Sequence, residues 1–85
     1  FDVSTTIEVS LDEDIDAFDC LIFDVNGRLI QRLHQKNQGQ NLVVWNGQSS
    51  SGRSLPAGNY YSQIVTKNPG TNQAASQGVL PLIKK

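Results

Sequence analysis

The sequence predicts an all-β fold: a small antiparallel β-sandwich, immunoglobulin-like or fibronectin type III-like, of about 6–7 strands. Short runs rich in β-branched and aromatic residues recur along the 85 residues, and turn residues such as Gly, Asn and Pro separate them. No window shows the apolar spacing of an amphipathic helix. A small barrel is the alternative arrangement of the same strands.

The first strand is predicted at residues 6–11, where apolar and polar residues alternate. A period of two places alternate side chains on one face of a strand. The buried face therefore holds Ile7, Val9 and Leu11. The acidic run at residues 12–16 has poor strand propensity and predicts a loop.

Residues 18–25 have apolar residues at both odd and even positions, and so on both faces of a strand. This pattern is typical of a strand covered on both faces or of one whose outer face meets a partner. Asn26-Gly27 follows and predicts a two-residue type I′ turn, because that turn needs positive φ at both central positions. The return strand is expected at residues 28–33. These segments together predict a central hairpin.

The second half predicts strands at residues 41–45 and 59–66, separated by a long polar segment at 46–58. Such segments lie on the surface. After a turn and a small polar loop at residues 71–77, a last strand is expected at 78–84. Pro81 cannot donate a ladder hydrogen bond, so it predicts an edge strand or a strand in which the position without an N–H faces outward.

Five residues predict one structural corner of the sandwich. They close one strand, turn the chain and open the next: Trp45, Gly47, Pro56, Gly58 and Tyr60. We expect Trp45 to pack against Tyr60 in the core. The alternative is a carbohydrate-binding platform formed by Trp45, Tyr60 and Tyr61.

The composition suits one domain over residues 1–85 and gives a net charge of −1, which offers no electrostatic basis for binding nucleic acid or anionic membrane. No apolar run approaches the about 20 residues that span a bilayer, so no membrane insertion is expected. All eight acidic residues precede Gly27 and all seven Lys and Arg residues follow it. Where a strand of the first half pairs with a strand of the second half, we therefore expect acidic side chains to lie opposite Lys or Arg side chains.

Catalysis has few candidate groups, because His34 is the single histidine and Cys20 the single cysteine. Nothing near His34 marks a nucleophile elbow or an orienting carboxylate, so an exposed structural histidine is predicted. Apolar neighbours predict that Cys20 is a buried free thiol. We predict no catalytic residue, no cofactor and no zinc site, since one Cys and one His cannot complete a zinc tetrahedron.

Asp12, Asp14 and Asp16 occupy alternate positions, as at the start of a calcium-binding loop. An EF-hand needs Gly at its sixth position and Glu at its twelfth, where this chain has Ala17 and Phe23. Calcium at this loop and a solvated strand connection both remain open, and the second is favoured.

Nearly the whole chain resembles two related families: the C-terminal sorting domains of the type IX secretion system, and the immunoglobulin-like domain of flagellar hook-capping proteins. The resembling segments occur in the family order: residues 1–7, 22–30, 43–47, 55–60 and 79–85. Asn46 and Ser49 stand where the family has acidic residues, so a role for charge in that loop is not expected.

The resemblance implies a non-catalytic sorting signal, the C-terminal module of a larger protein that is secreted or displayed at the cell surface via the periplasm. The implied partners are outer-membrane secretion machinery and the preceding domain of the parent protein. An exposed edge strand is read by β-augmentation, so the expected recognition residues lie in the last strand: Leu80, Leu82, Ile83, Lys84 and Lys85. The alternatives are a structural spacer or subunit-contact domain, and the carbohydrate-binding module.

Overall fold

The chain forms six β-strands in a computed structural model, which describes residues 4–67 and 74–84, with side chains at 4–66 and 82–84. The strands are β1 (Thr5–Ser10), β2 (Ala17–Phe23), β3 (Leu29–Lys36), β4 (Gln40–Trp45), β5 (Gly58–Lys67) and β6 (Ala74–Lys84). In the described residues, no helix is long and apolar enough to cross a membrane.

The strands form two antiparallel sheets. β1 pairs with β4 in one sheet, and the other has the order β3-β2-β5-β6. The chain therefore changes sheet between β1 and β2, between β3 and β4, and between β4 and β5. These pairings confirm the predicted all-β, antiparallel sandwich.

Strict alternation along the strands builds the core between the sheets. β1 and β4 bury every second residue, and so do β2 and β5 in the other sheet. Among the described side chains, the buried hydrophobic residues are Ile7, Val9, Phe18, Cys20, Ile22, Val43, Trp45, Tyr60, Ile64 and Leu82. The predicted buried face of the first strand is confirmed at Ile7 and Val9, and Leu11 packs against the core while partly buried.

The buried thiol is also confirmed. Cys20 is free and has no exposed surface in the middle of β2. Its removal from water penalises the thiolate, and burial raises its pKa to about 11. Cys20 therefore packs as a small hydrophobe.

The β2–β3 turn differs from the predicted two-residue turn. The Asp24 N–H donates to the Arg28 carbonyl oxygen at 3.0 Å, so three residues, 25–27, form the loop. Gly27 has a φ of +80°, as a three-residue hairpin loop requires at its last position. The Asp24 carboxylate accepts the N–H groups of Asn26 and Arg28. A two-residue Asn-Gly turn does not use these hydrogen bonds to the Asp24 side chain. They account for the longer loop.

Two strands are longer than predicted. β3 continues to Lys36 instead of ending at residue 33, and β6 begins at Ala74, so residues 74–77 are strand and not loop. Ala74 and Ala75 have low strand propensity, but pairing with β5 supplies the ladder that overrides it. Residues 71–73 of the predicted loop lie outside the described residues. The edge position predicted for Pro81 is confirmed, since β6 is the last strand of its sheet.

The expected cross-strand pairing of acids with Lys or Arg is wrong for the described ladders. Glu8 lies opposite Leu42, and Arg32 lies opposite Leu21. The register that buries the apolar face fixes these partners, and an exposed ion pair stabilises too little to shift it.

Candidate interaction surface

The corner residues lie together at one end of the sandwich. The Trp45 and Tyr60 rings meet edge to face, with centroids 5.3 Å apart and planes at 69°. Trp45 Nε1 donates to the Gln48 carbonyl oxygen at 2.9 Å, and the Tyr60 hydroxyl donates to the Pro56 carbonyl oxygen at 2.6 Å. Both aromatic residues therefore pack as hydrophobes and hold the loop with their polar ends.

Burial excludes the three-aromatic sugar platform. Trp45 is 1% exposed and Tyr60 is 5% exposed, so neither ring face can stack on a sugar. Tyr61 points to the opposite side of β5 and is exposed. The prediction of core packing is confirmed, and the platform formed by Trp45, Tyr60 and Tyr61 is wrong.

The polar segment between β4 and β5 is an ordered loop on the surface. Gln48 bridges to Ser54, and the Ser49 N–H donates to the Arg53 carbonyl oxygen at 2.9 Å. The Ser50 N–H donates to the Ile30 carbonyl oxygen at 2.9 Å, which attaches the loop to β3. The loop therefore covers part of the outer edge of β3.

Lys84 of β6 holds the same loop from the other side. Its ammonium nitrogen donates to the carbonyl oxygens of Gly47 and Leu55 and to the Ser54 hydroxyl; the Gly47 and Ser54 distances are 3.2 and 3.4 Å. Sequence reasoning missed this contact, because 37 residues separate Lys84 from Gly47 and no local pattern marks either as a partner.

The residues expected to recognise a partner have different positions in the structure. Leu82 is buried in the core, Ile83 is exposed on the outer side of β6, and Lys84 is hydrogen-bonded to the corner loop. The side chain of Leu80 and all of Lys85 lie outside the described residues. A role for this strand in recognition stays a prediction.

Sequence reasoning also missed a buried polar residue, Asn41. Its Nδ2 donates to the Val9 carbonyl oxygen at 2.9 Å and to Asn37 Oδ1 at 3.0 Å, and its Oδ1 accepts the Gln38 N–H. These bonds satisfy the buried amide and fix the loop that crosses from β3 to β4. The alternation along β4 indicates the inward position of Asn41, although not its role.

His34 is exposed, as predicted, but a carboxylate that the sequence did not indicate lies beside it. His34 Nδ1 is 2.7 Å from Asp19 Oδ1 across the β2–β3 ladder. The imidazole lies on an open sheet face, so nothing around it excludes water.

The three aspartates of the acidic run are exposed. Asn37 Nδ2 donates to the carbonyl oxygens of Asp12 and Ile15, so backbone contacts hold this loop. In the described part of the chain, no three His, Cys, Asp or Glu side chains are placed to hold a metal ion. Calcium binding by Asp12, Asp14 and Asp16 gains no geometric support.

The outer faces of both sheets expose apolar side chains. Leu29, Phe23 and Tyr61 lie in register across β3, β2 and β5 on the outer face of the four-stranded sheet. Leu42 and Val44 are 63% and 58% exposed on the outer face of the two-stranded sheet. Exposed apolar patches on small domains mark interaction sites.

The sequence matches the family model described as FlgD Ig-like domain over residues 2–70. The chain belongs to the FlgD Ig-like domain family. No curated protein sequence matches the chain. Its fold is similar to that in the crystal structure of FLGD from P. aeruginosa, with a TM-score of 0.76 and 22% sequence identity over 96% of this chain and 67% of that chain.

Membership of the FlgD Ig-like family decides between the two related resemblances. The hook-capping immunoglobulin-like family is confirmed, and the type IX sorting family gains no support from the match. The expected location, secreted or at the cell surface via the periplasm, is wrong, because it rested on the sorting resemblance and the chain belongs instead to the FlgD Ig-like domain family. Outer-membrane machinery as a partner rested on the same resemblance and is untested.

Proposed function

We propose that this chain is a non-catalytic structural domain that makes subunit contacts in flagellar hook assembly. The observation that carries the proposal is the match to the FlgD Ig-like domain over residues 2–70. The similar fold of FLGD from P. aeruginosa supports the same architecture. Fold alone does not specify function, and the exposed surface of the domain determines what it can contact.

The chemistry of the described side chains fits a structural role. The polar groups with the most contacts hold loops to strands: Lys84 on the corner loop, Asn41 at the β3–β4 crossing and Asp24 in the β2–β3 turn. Apolar side chains are also exposed on the outer faces of both sheets. Such faces fit protein contacts better than they fit a small substrate.

The proposal is tested in the bacterium that encodes this chain. In-frame removal of the domain from its parent protein is expected to abolish completed hooks in electron micrographs and swimming in soft agar. Restoring the intact coding sequence in trans is expected to recover both. Normal hooks and normal swimming without the domain, with the shortened parent protein present at its usual level, contradict the proposal.

A point variant tests whether swimming requires a stably folded domain, and not only the presence of its polypeptide. Trp45→Ala removes the largest fully buried side chain and is expected to destabilise the sandwich by about 3–5 kcal/mol. The variant is therefore expected to reduce swimming. Arg53→Ala, which changes an exposed loop residue, is the matched control and is expected to leave swimming unchanged.

A further inference from the structure

Part of the outer face of the four-stranded sheet is apolar, and no described element covers it. Leu29, Phe23 and Tyr61 form one row across three strands, and Leu21 belongs to the next row with the same orientation. Leu29 and Tyr61 are exposed, while Leu21 and Phe23 are half-buried. Outward apolar side chains on a central strand, such as Leu21 and Phe23, favour a covering partner, because covering them removes apolar surface from water.

One unpaired cation lies beside this apolar row. Arg32 is opposite Leu21 on β3 and exposed, and its guanidinium has no ion-pair partner among the side chains that the structure describes. The acid on the same face, Asp19, is held by His34. The face therefore presents apolar side chains next to a free positive charge.

The outer face of β1 and β4 is the complement of that surface. Leu42 and Val44 are exposed there, and Glu8 lies directly opposite Leu42. Glu8 is exposed and has no ion-pair partner among the described side chains. The remaining outward residues of the two strands are uncharged: Thr6, Ser10 and Gln40.

We propose that these two faces dock between two copies of this chain, head to tail. Leu42 and Val44 of one copy pack on the row of Leu29, Phe23 and Tyr61 of the next, and Glu8 pairs with Arg32. Sheets stack face to face in this way at about 10 Å. Because the two faces differ, each copy has one of each and the contact can repeat.

The inference rests on the proposed subunit-contact function and specifies its surface. β1 and β4 are six residues long, so the contact is small and belongs to the weak class of interfaces, below about 1,200 Å² in total. Self-association is therefore expected at high protein concentration. Sedimentation equilibrium of the 85-residue chain, up to about 1 mM, measures it.

Charge reversal on either face is the decisive experiment. Arg32→Glu and Glu8→Arg each place like charges opposite one another in the contact, and each is expected to weaken self-association by at least about tenfold. In an equimolar mixture of the two variants, every contact between unlike variants joins opposite charges. The mixture is therefore expected to associate about as well as the unchanged chain.

Two control variants are measured by the same sedimentation experiment. Arg53→Glu and Glu13→Arg make the same charge changes on exposed loops and are expected to leave association unchanged. Circular dichroism checks that each variant is folded. A chain that stays monomeric at about 1 mM overturns the inference, and so does a mixture that associates no better than its components.

Hook formation by the parent protein is measured in a separate experiment, so the surface and the proposed function can fail independently. Monomeric behaviour of the isolated chain together with loss of hooks on deletion would reject this surface and retain the proposed function. Normal hooks on deletion would reject the proposed function, whatever the sedimentation result.

Discussion

The Lys84 ammonium lies 3.2 Å from the carbonyl oxygen of Gly47, so the last described strand and the corner loop are joined by a side chain. The same nitrogen also donates to the carbonyl oxygen of Leu55 on the far side of the loop. A charged donor shared by two carbonyls makes stronger hydrogen bonds than a neutral one. Lys84 thus ties β6 to the loop that leads into β5.

Lys84→Met is expected to destabilise the chain by about 1.5–3 kcal/mol, because it removes charge-assisted hydrogen bonds and leaves loop carbonyls unpaired. Methionine keeps most of the apolar stem and so isolates the ammonium group. Urea unfolding followed by Trp45 fluorescence measures the change. Lys36→Met, at an exposed position of β3, is the control and is expected to cost less than about 0.5 kcal/mol. Equal losses in the two variants would contradict the role given to Lys84.

Gly47→Ala is expected to be more destabilising than Gly52→Ala. Both glycines have positive φ, +75° and +84°, so alanine pays backbone strain of about 1–2 kcal/mol at either site. At Gly47 an added Cβ also meets Lys84 Cε at 3.0 Å, whereas at Gly52 it meets nothing within 4 Å. Thermal unfolding of both variants measures the difference. A Gly52 variant as unstable as the Gly47 variant would show that the Lys84 contact adds nothing.

Local sequence patterns predicted the parts of the fold that depend on neighbouring residues. Alternation identified the buried face of β1, and the apolar character of residues 18–25 on both parities indicated a strand with an unusual outer face. The Lys84–Gly47 contact and the extension of β6 to Ala74 depend on pairing between distant segments. Nothing within a few residues of either position encodes such a pairing, so sequence reasoning could not find it.

Acidification is expected to weaken the β2–β3 turn through Asp24. The backbone N–H of Arg28, followed in importance by that of Asn26, stabilises the carboxylate and lowers the pKa of Asp24 below its usual 3.8. A depressed folded pKa means that the stabilisation is present above the unfolded pKa and is lost as the pH falls through the folded one. The loss is therefore expected below about pH 4.

Asp24→Asn tests this pH dependence, because asparagine keeps a hydrogen-bond acceptor and removes the charge. The unfolding temperature of the unchanged chain is expected to exceed that of the variant at neutral pH, and the gap is expected to narrow at about pH 2. Asp14→Asn, at an exposed residue of the acidic loop, is the control. A gap that stays constant from neutral to acid pH would contradict the role of the Asp24 charge.

Cys20 is expected to react with thiol reagents only when the chain opens. It has no exposed surface, and burial raises its pKa to about 11, so at pH 8 the folded chain holds almost no thiolate. Labelling with a chromogenic disulfide is expected to be at least about a hundredfold slower in buffer than in urea. The thiol has a higher pKa in the folded chain than in the unfolded chain, and the reagent cannot reach it until the chain opens. The raised pKa also implies that stability falls as the pH rises through the ordinary thiol value of 9.0 toward about 11. Cys20→Ala is expected to lose the part of that dependence that begins near pH 9, while burial, which also raises the pKa of Tyr60 above its usual 10.0, keeps a part at higher pH. Rapid labelling of the folded chain at pH 8 would contradict the buried position.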